Sequence, residues 1–359
     1  MLMASILFVL PVGGYSGGAN SVVQETKGLN RVGQRASIAV DEKNIDSFKR
    51  CYSTEFDIIS NLVCFKDYND LLNKIRNYDV VVATVGTQAT NVFSMVRNHN
   101  SNNHKKITLA YYIQDYEPLF FEKDTPEWQK TRASYDEASD VICFAKTDWI
   151  CNIVQKNHNV SVKRVLPSID HDCYIPSAEQ SSKITISAMI RPGTPRRAPH
   201  RTARILNILS SKYKKSHNVN VVSFGCQKET LQENGIILDP AISHQGQLTR
   251  EQVAQVLRES SLFLDLSDFQ AFGRTGIESM ACGAVPVMPV FGGAQEFVVD
   301  KQNGYLVDPR FDSSIINAID DYLALTEKRK RVMRNDALNK AAEFSIHRAA
   351  LSMSCVLTQ

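Results

Sequence analysis

The sequence lacks several features that would narrow its class at once. Its eight cysteines include no CxxC pair, which argues against a zinc site or a thioredoxin-type redox motif. No run approaches the roughly 20 apolar residues that a membrane-spanning helix needs. Basic residues barely outnumber acidic ones, 41 against 38, so the overall charge does not indicate a nucleic-acid-binding protein. We therefore expect a globular protein that binds no nucleic acid.

Acidic residues are also missing from one long window, between Glu179 and Glu229. Ten basic residues lie in the same window: Lys183, Arg191, Arg196, Arg197, Arg201, Arg204, Lys212, Lys214, Lys215 and Lys228. Chance rarely leaves so long a stretch without a carboxylate. The window therefore predicts a contact with an anionic ligand.

The chain has 359 residues, 43% of them hydrophobic and 22% charged, a globular composition whose length favours two domains. The apolar run Ile6–Val12 has no preceding Lys or Arg and no convincing cleavage site, which argues against a signal peptide. Scattered cysteines are typical of buried thiols in a reducing compartment. We therefore expect a cytoplasmic protein.

Short apolar runs alternate with longer amphipathic stretches in the first half of the chain. Buried parallel strands are predicted at Ile6–Val12, Ala36–Val40, Val80–Thr84, Leu109–Ile113 and Asp140–Ala145. Helical patterns separate them, as at Asn20–Arg31 and Tyr68–Arg76. This alternation indicates a doubly wound α/β domain.

The pattern starts again in the second half. Further strands are predicted at Lys183–Met189, Val219–Phe224, Leu262–Leu266 and Val285–Val287, with helices at Thr202–Tyr213, Thr249–Glu259 and Gly276–Cys282. Residues 167–182 are rich in proline and serine and indicate a linker. We predict an α/β protein with two Rossmann-like doubly wound domains, 1–175 and 176–340, facing a cleft. Residues 341–359 are predicted to form a C-terminal helix that packs back on the first domain.

A loop with four glycines, Gly13–Gly18, directly follows the first predicted strand. Glycines there let backbone N–H groups approach an anion, so Gly14, Gly17 and Gly18 are candidates for phosphate or sugar contact. The spacing is neither that of GxGxxG nor that of a Walker A loop. An NAD-dependent enzyme stays open as an alternative because Asp41 ends the second strand. A plain tight turn is the other alternative.

A second loop, Met189–Arg197, follows the first strand of the second domain and contains Arg191, Arg196 and Arg197. Prolines stiffen it, and guanidinium groups suit a diphosphate. A solvated basic loop is the alternative.

A third motif, Asp268–Val287, runs from a strand end into a helix. Gly273, Arg274 and Thr275 can present N–H groups to a phosphate at the helix start. Glu278 is placed to accept hydrogen bonds from ribose hydroxyls or, alternatively, to stabilise the helix N-terminus.

The strings QAFGRTGIESMACGAVPV and GGAQEFVVDKQNGYLVDP resemble the motifs of glycosyltransferase family 4, a group with the GT-B fold. The resemblance covers most of residues 183–310. It implies retaining, metal-independent transfer of a sugar from a nucleotide donor, with the second domain binding the nucleotide sugar and the first domain on the acceptor side. It also implies that Glu278 holds the ribose and that Arg191 and Arg196 neutralise the diphosphate. The remaining implied donor contacts are Arg197, Gln270, Phe272, Gly273, Arg274 and Thr275.

Two shorter strings, YYIQDYEP at 111–118 and RPGTPRR at 191–197, resemble bacterial rhamnosyltransferases that build surface polysaccharides and S-layer glycans. They imply dTDP-L-rhamnose as donor and a glycan or lipid-linked glycan as acceptor. Asp115, at the end of a predicted strand of the first domain, is a candidate for orienting the acceptor hydroxyl, and capping of a turn is the alternative. A UDP- or GDP-sugar is the alternative donor. The family resemblance implies that no metal or other cofactor is required, which is consistent with the position of Asp170-His171-Asp172 in the predicted linker.

Gln270 departs from the family pattern, because it stands where an acidic residue is usual. A neutral amide can hydrogen-bond a hydroxyl but cannot stabilise a positive centre. A catalytically degenerate protein that binds a nucleotide or a partner is therefore the alternative of another class. The basic run Lys328–Arg331 is typical of a solvated helix face, with contact to anionic lipid headgroups at the inner face of the cell membrane as the alternative.

Overall fold

The structure, a computed structural model, describes residues 3–14, 16–177, 183–213 and 219–358. The chain divides into two compact units. The first comprises Met1–Ser168 together with Ser345–Gln359, and the second comprises Ile169–Phe344. The division thus lies a few residues from the predicted boundaries after residues 175 and 340, and residues 345–359 belong to the first unit.

The first unit contains a seven-stranded parallel sheet in the order β3-β2-β1-β4-β5-β6-β7. The strand order reverses at β1, as in a doubly wound sheet. Apolar, β-branched side chains form these strands because both faces of such a sheet are covered by helices. The strands are β1 Ser5–Val9, β2 Arg35–Asp41, β3 Val63–Phe65, β4 Val80–Ala83, β5 Thr108–Ile113, β6 Ile142–Ala145 and β7 Val162–Arg164.

Helices connect these strands and cover the sheet. They are α1 Gly17–Arg31, α2 Ile45–Cys51, α3 Phe56–Ser60, α4 Tyr68–Lys74, α5 Gly86–Asn102, α6 Pro126–Asp136 and α7 Asp148–His158. Side-chain caps begin several of them; the Ser16 hydroxyl, for example, accepts a hydrogen bond from the Ala19 amide at 3.0 Å.

The second unit contains a six-stranded parallel sheet in the order β10-β9-β8-β11-β12-β13, which has the same reversal at its first strand. Its strands are β8 Ile184–Met189, β9 Val219–Phe224, β10 Ser243–His244, β11 Leu262–Leu264, β12 Val285–Pro289 and β13 Tyr305–Val307. Its helices are α8 Pro199–Tyr213, α9 Lys228–Glu233, α10 Arg250–Glu259, α11 Arg274–Cys282, α12 Asp312–Ala324 and α13 Glu327–Ala342.

The last helix, α14 Ile346–Leu357, lies in the first unit. It packs on α1, where Gly28 leaves room for it: a Cβ there would be 3.0 Å from Ile346 and 3.1 Å from Ala350. Met353 and Leu357 are buried in the core of this unit. The C-terminal residues thus complete the hydrophobic core formed by the N-terminal sheet.

The predicted alternation of strands and helices is confirmed in both units, but two details are wrong. The stretch 167–182 is no simple linker, since Ile169 and Tyr174 are buried in the second unit and the Ile169 amide donates to the Phe344 carbonyl at 3.0 Å. Its residues 178–182 lie outside the described part of the chain. The short strands β3, β7, β10 and β13 were not predicted, because two or three residues give too little periodicity to detect.

None of the helices in the described ranges is both long and apolar enough to cross a bilayer.

Candidate active site

Three neighbouring strands of the second unit, β8, β11 and β12, end at one edge of its sheet, and the loops that follow them are joined by backbone hydrogen bonds. The Asp268 amide donates to the Arg196 carbonyl at 2.9 Å. The Gln270 amide donates to the Phe291 carbonyl at 3.3 Å, and the Gly293 amide donates to the Gln270 carbonyl at 2.8 Å. The loops that carry the predicted arginines, Gln270 and the pair Gly292-Gly293 therefore meet at one place, as parallel strands require.

The loop after β8 carries the predicted arginines. Residues 195–197 form a 3-10 turn, and Ala198 follows with a left-handed φ of 47°. The guanidinium of Arg196 lies over the Phe269 ring, 5.6 Å from its centroid, and Arg197 approaches the Asp265 carboxylate at 3.8 Å. Two of the three cations are thus tied to the loop after β11.

Arg191 lies two residues beyond β8, with its Nε 2.9 Å from the Met189 sulfur. Desolvation by surrounding protein atoms and the charge of Arg197 lower the pKa of Arg191, while Asp265 and Glu278 oppose the shift. A bound phosphate would offset the repulsion between Arg191 and Arg197. Neighbouring cations that an anion would stabilise are expected at an anion-binding site.

Gln270 is 3% exposed, and its side chain is anchored on Asp265. Its Nε2 donates to Asp265 Oδ2 and, at 3.1 Å, to the Ser267 hydroxyl. The sequence analysis missed Asp265 because it extended the strand to residue 266, whereas β11 ends at Leu264. The available signal was an acidic residue interrupting an apolar run near a strand end.

Gly292 packs directly against the backbone of Gln270. Its φ is 110°, and a Cβ at this position would lie 1.9 Å from the Gln270 carbonyl oxygen. No side chain fits there, so glycine is required both by conformation and by contact. The glycine pair after β12 therefore positions Gln270 as well as forming a loop.

Glu278 lies in the second turn of α11 and is 6% exposed. Its carboxylate is 3.9 Å from the Arg274 guanidinium. Burial raises the pKa of Glu278 to about 7, against the opposing charges of Arg274, Arg250 and Arg191, whereas the charge of Asp170 adds to the rise. A buried acceptor that titrates near neutrality and faces several cations is a candidate binding group.

α11 begins at Arg274, two residues before the predicted start at Gly276. Gly273 precedes the helix with a φ of 88°, and its carbonyl accepts from the Gly276 and Ile277 amides at 3.0 and 3.3 Å. The amides of Arg274 and Thr275 precede these intrahelical donors, as the first amides of a helix do. They are directed toward the helix N-terminus, where an anion would bind.

Phe272 is a predicted donor contact whose ring takes part in an aromatic cluster. The ring centroids of Phe297 and Phe344 lie 5.5 and 5.9 Å from its own. The side chain therefore has a packing role, and its contact with a donor stays a prediction.

A second ion pair near Glu278 was not predicted. Arg250, at the start of α10, donates to Asp170 at 2.7 Å. Although burial opposes it, the hydrogen bond to Asp170 raises the pKa of Arg250. Asp170 had been assigned to a linker, and no local pattern shows that it meets a residue 80 positions away.

The other predicted site residues lie in the first unit. Gly14 has a left-handed φ of 79°, Gly17 begins α1, and the Cα of Gly18 faces the Gln114 side chain, 3.3 Å from where a Cβ would be. One Asp115 carboxylate oxygen accepts from the Tyr116 amide at 2.9 Å. Tyr15 lies outside the described residues.

Across the described ranges, no group of three or more His, Cys, Asp or Glu side chains is arranged to hold a metal ion.

Comparisons with known proteins fit this architecture. Residues 203–338 match the family model described as glycosyl transferases group 1. No curated protein matches the sequence significantly.

Solved structures are similar over nearly the whole chain. The structure of Anabaena HepE in complex with UDP-glucose has a TM-score of 0.79 at 15% identity, with 99% of each chain covered. Sucrose-phosphate synthase from Thermosynechococcus elongatus has a TM-score of 0.72 at 13% identity, covering 99% of this chain and 98% of that one. TarM has a TM-score of 0.78 at 11% identity, covering 100% and 99%. The chain therefore has the GT-B fold, and residues 203–338 of its second unit match glycosyl transferases group 1.

Proposed function

We propose that this protein is a glycosyltransferase whose second unit binds a nucleoside diphosphate sugar. The observation that carries the proposal is the buried Glu278, which lies in the second turn of α11 and faces a set of guanidinium groups. The carboxylate suits ribose hydroxyls, and the cations with the helix N-terminus suit a diphosphate. The match to glycosyl transferases group 1 supports this reading, because it spans Gln270 and Glu278.

The reaction we propose is a retaining transfer that needs no metal ion. Arg191, Arg196 and Arg197 would stabilise the negative charge that develops as the bond between the sugar and the diphosphate breaks. The acceptor hydroxyl oxygen forms the new bond to the sugar carbon, and its proton passes to the departing diphosphate. Guanidinium groups suit this role because they stay protonated at every pH of interest.

The donor we propose is dTDP-L-rhamnose, on the strength of the motifs at 111–118 and 191–197. A UDP-sugar is the second candidate, favoured by the similarity to HepE, whose structure contains UDP-glucose. The acceptor would be a glycan hydroxyl, oriented by Asp115. Gly14, Gly17 and Gly18 stand as further proposed contacts of the first unit.

Thermal unfolding in the presence of nucleotides tests the proposal first. A ligand that binds only the folded state raises the melting temperature by mass action. We expect a shift with dTDP or dTDP-L-rhamnose; a shift with UDP or UDP-glucose instead would replace the donor and keep the reaction class. A shift with NAD alone would contradict the proposal, and no shift with any of them would favour a degenerate protein.

The Glu278→Ala substitution tests the binding site itself. We expect nucleotide affinity to fall at least about tenfold, because a hydrogen bond to a charged group contributes about 1.5–3 kcal/mol and about 1.4 kcal/mol is a tenfold change. Calorimetric titration at pH 8, where the Glu278 carboxylate predominates, measures this loss. Glu233→Ala, an exposed residue of α9, is the matched control. Equal affinity in both variants would remove Glu278 from the site.

A further inference from the structure

Gln270 has a carboxylate beside it, although the sequence has no acidic residue at position 270. Both oxygens of Asp265 are engaged by nearby donors. Oδ1 accepts from the Ser267 amide at 3.1 Å and from the Ser267 hydroxyl, and Oδ2 accepts from the Gln270 side chain. A carboxylate thus lies in direct contact with the Gln270 side chain, although position 270 itself is neutral.

The contact with Asp265 fixes which way the Gln270 amide points. A carboxylate can only accept hydrogen bonds, so the Gln270 atom that meets it must be the NH2 group. The Ser267 hydroxyl, which donates to Asp265, accepts from the same NH2 group at 3.1 Å. The Gln270 amide oxygen is then directed away from Asp265 and Ser267. Within the described chain, no hydrogen bond is made to this oxygen.

The backbone of Gln270 is fixed as firmly as its side chain. It exchanges hydrogen bonds with Phe291 and Gly293, and Gly292 lies against its carbonyl group. With 3% exposure the side chain has almost no room to take another rotamer. The amide oxygen is thus a preorganised acceptor, and its orientation depends on Asp265.

We propose that Asp265 is a positioning residue, which holds the Gln270 amide so that its oxygen accepts a hydrogen bond from a hydroxyl of the donor sugar. The inference rests on the proposed function and concerns the sugar rather than the nucleotide. It predicts that the donor sugar has an uncharged hydroxyl group that donates a hydrogen bond to the Gln270 amide oxygen.

Asp265 could instead act through Arg197, whose guanidinium is 3.8 Å away. The two roles have different consequences. Loss of an Arg197 partner would change the affinity for the nucleoside diphosphate, because that cation is proposed to bind phosphate. Loss of Gln270 orientation would change only the additional affinity that the sugar contributes.

The experiment measures two dissociation constants for each variant by calorimetric titration: one for the nucleoside diphosphate and one for its sugar conjugate, using the pair that wild type binds best. The ratio of the two dissociation constants measures how much the sugar adds to the affinity. The variants are Asp265→Ala, Gln270→Glu and the double variant Asp265→Asn with Gln270→Glu. Asp268→Asn is the matched control, since this exposed aspartate lies in the same loop and pairs with Arg201.

We expect Asp265→Ala to reduce the contribution of the sugar about tenfold, as the loss of one well-oriented hydrogen bond would. Gln270→Glu should reduce it similarly, because two carboxylates would then oppose each other. The double variant should recover most of the loss, since the amide introduced at position 265 can donate to the carboxylate introduced at position 270. Melting temperatures identify any variant that fails to fold, so that a loss of stability is not taken for a loss of sugar binding.

An unchanged ratio in Asp265→Ala, or no recovery in a folded double variant, would overturn the role of Asp265 and leave the proposed function standing. A change confined to the nucleoside diphosphate would also overturn it, in favour of Arg197. If wild type binds neither the nucleoside diphosphates nor their sugar conjugates, both the inference and the proposed function are wrong.

Discussion

The buried carboxyl of Glu278 makes the stability of the fold depend on pH. The carboxyl is buried among hydrophobic and cationic groups, and burial outweighs the attraction of the nearby arginines, so its pKa rises to about 7. In the unfolded chain the same group titrates near 4.5. The folded state therefore binds a proton more tightly, and its stability falls as pH rises through about 7.

The Glu278→Gln variant tests this pH dependence. Below about pH 4.5 the carboxyl is neutral in both states, whereas above about pH 7 the folded protein must hold a buried charge. We expect Glu278→Gln to gain stability relative to wild type by about 2–3 kcal/mol between pH 5 and pH 8.5, a range set by the size of the pKa shift. Urea unfolding at the two pH values measures the difference. Parallel stability profiles would show that burial does not govern this group.

At the scale of elements, the loops after β8, β11 and β12 behave as one assembly. The Arg196 carbonyl holds the loop after β11, and Gln270 joins that loop to the one after β12 through Gly293. The sequence analysis identified loops that follow predicted strands. It could expect them to meet because the carboxyl ends of parallel strands lie at one edge of a sheet. The patterns did not show that the Gly292 backbone presses against Gln270, since this contact depends on how two loops pack.

Gly292→Ala tests that contact. Its left-handed φ and a Cβ only 1.9 Å from the Gln270 carbonyl force one loop to move. We expect a loss of at least about 2 kcal/mol in the free energy of unfolding, in the range of strained backbone positions. Gly193→Ala is the control, because a Cβ there meets nothing within 4 Å. Equal unfolding midpoints for the two variants would show that the loop adapts without strain.

At the scale of the whole molecule, the chain builds its first unit from both ends. α14 follows the second unit in sequence but belongs to the first unit. Its Met353 is buried in the same hydrophobic core as residues of β1. The Leu166 amide donates to the Ser352 hydroxyl at 3.1 Å, and Gln34 donates to the Ser354 hydroxyl at 3.0 Å. The last residues thus stabilise the unit that the first residues form.

Met353→Ala should therefore weaken the first unit while changing only a residue near the C-terminus. We expect a loss of about 2–5 kcal/mol, as for other buried large-to-small substitutions. Hydrogen exchange read by mass spectrometry should show lower protection in β1 and α1 and little change in β8 and α11. Cys355→Ala, at an exposed position of the same helix, is the control. Unchanged protection in β1 would show that α14 is dispensable to that core.

The sequence by itself determined the alternation of strands and helices, the glycine- and arginine-containing loops that follow strands, and the placement of Glu278 on the helix that follows one of these loops. These features follow from local periodicity and from residues that begin or end elements. Only the tertiary structure decided that Gln270 donates a hydrogen bond to Asp265, that Asp170 pairs with Arg250 and that Gly292 lies against a carbonyl group. The physical reason is that such contacts depend on side-chain rotamers and on the packing of segments far apart in the chain, which periodicity does not record.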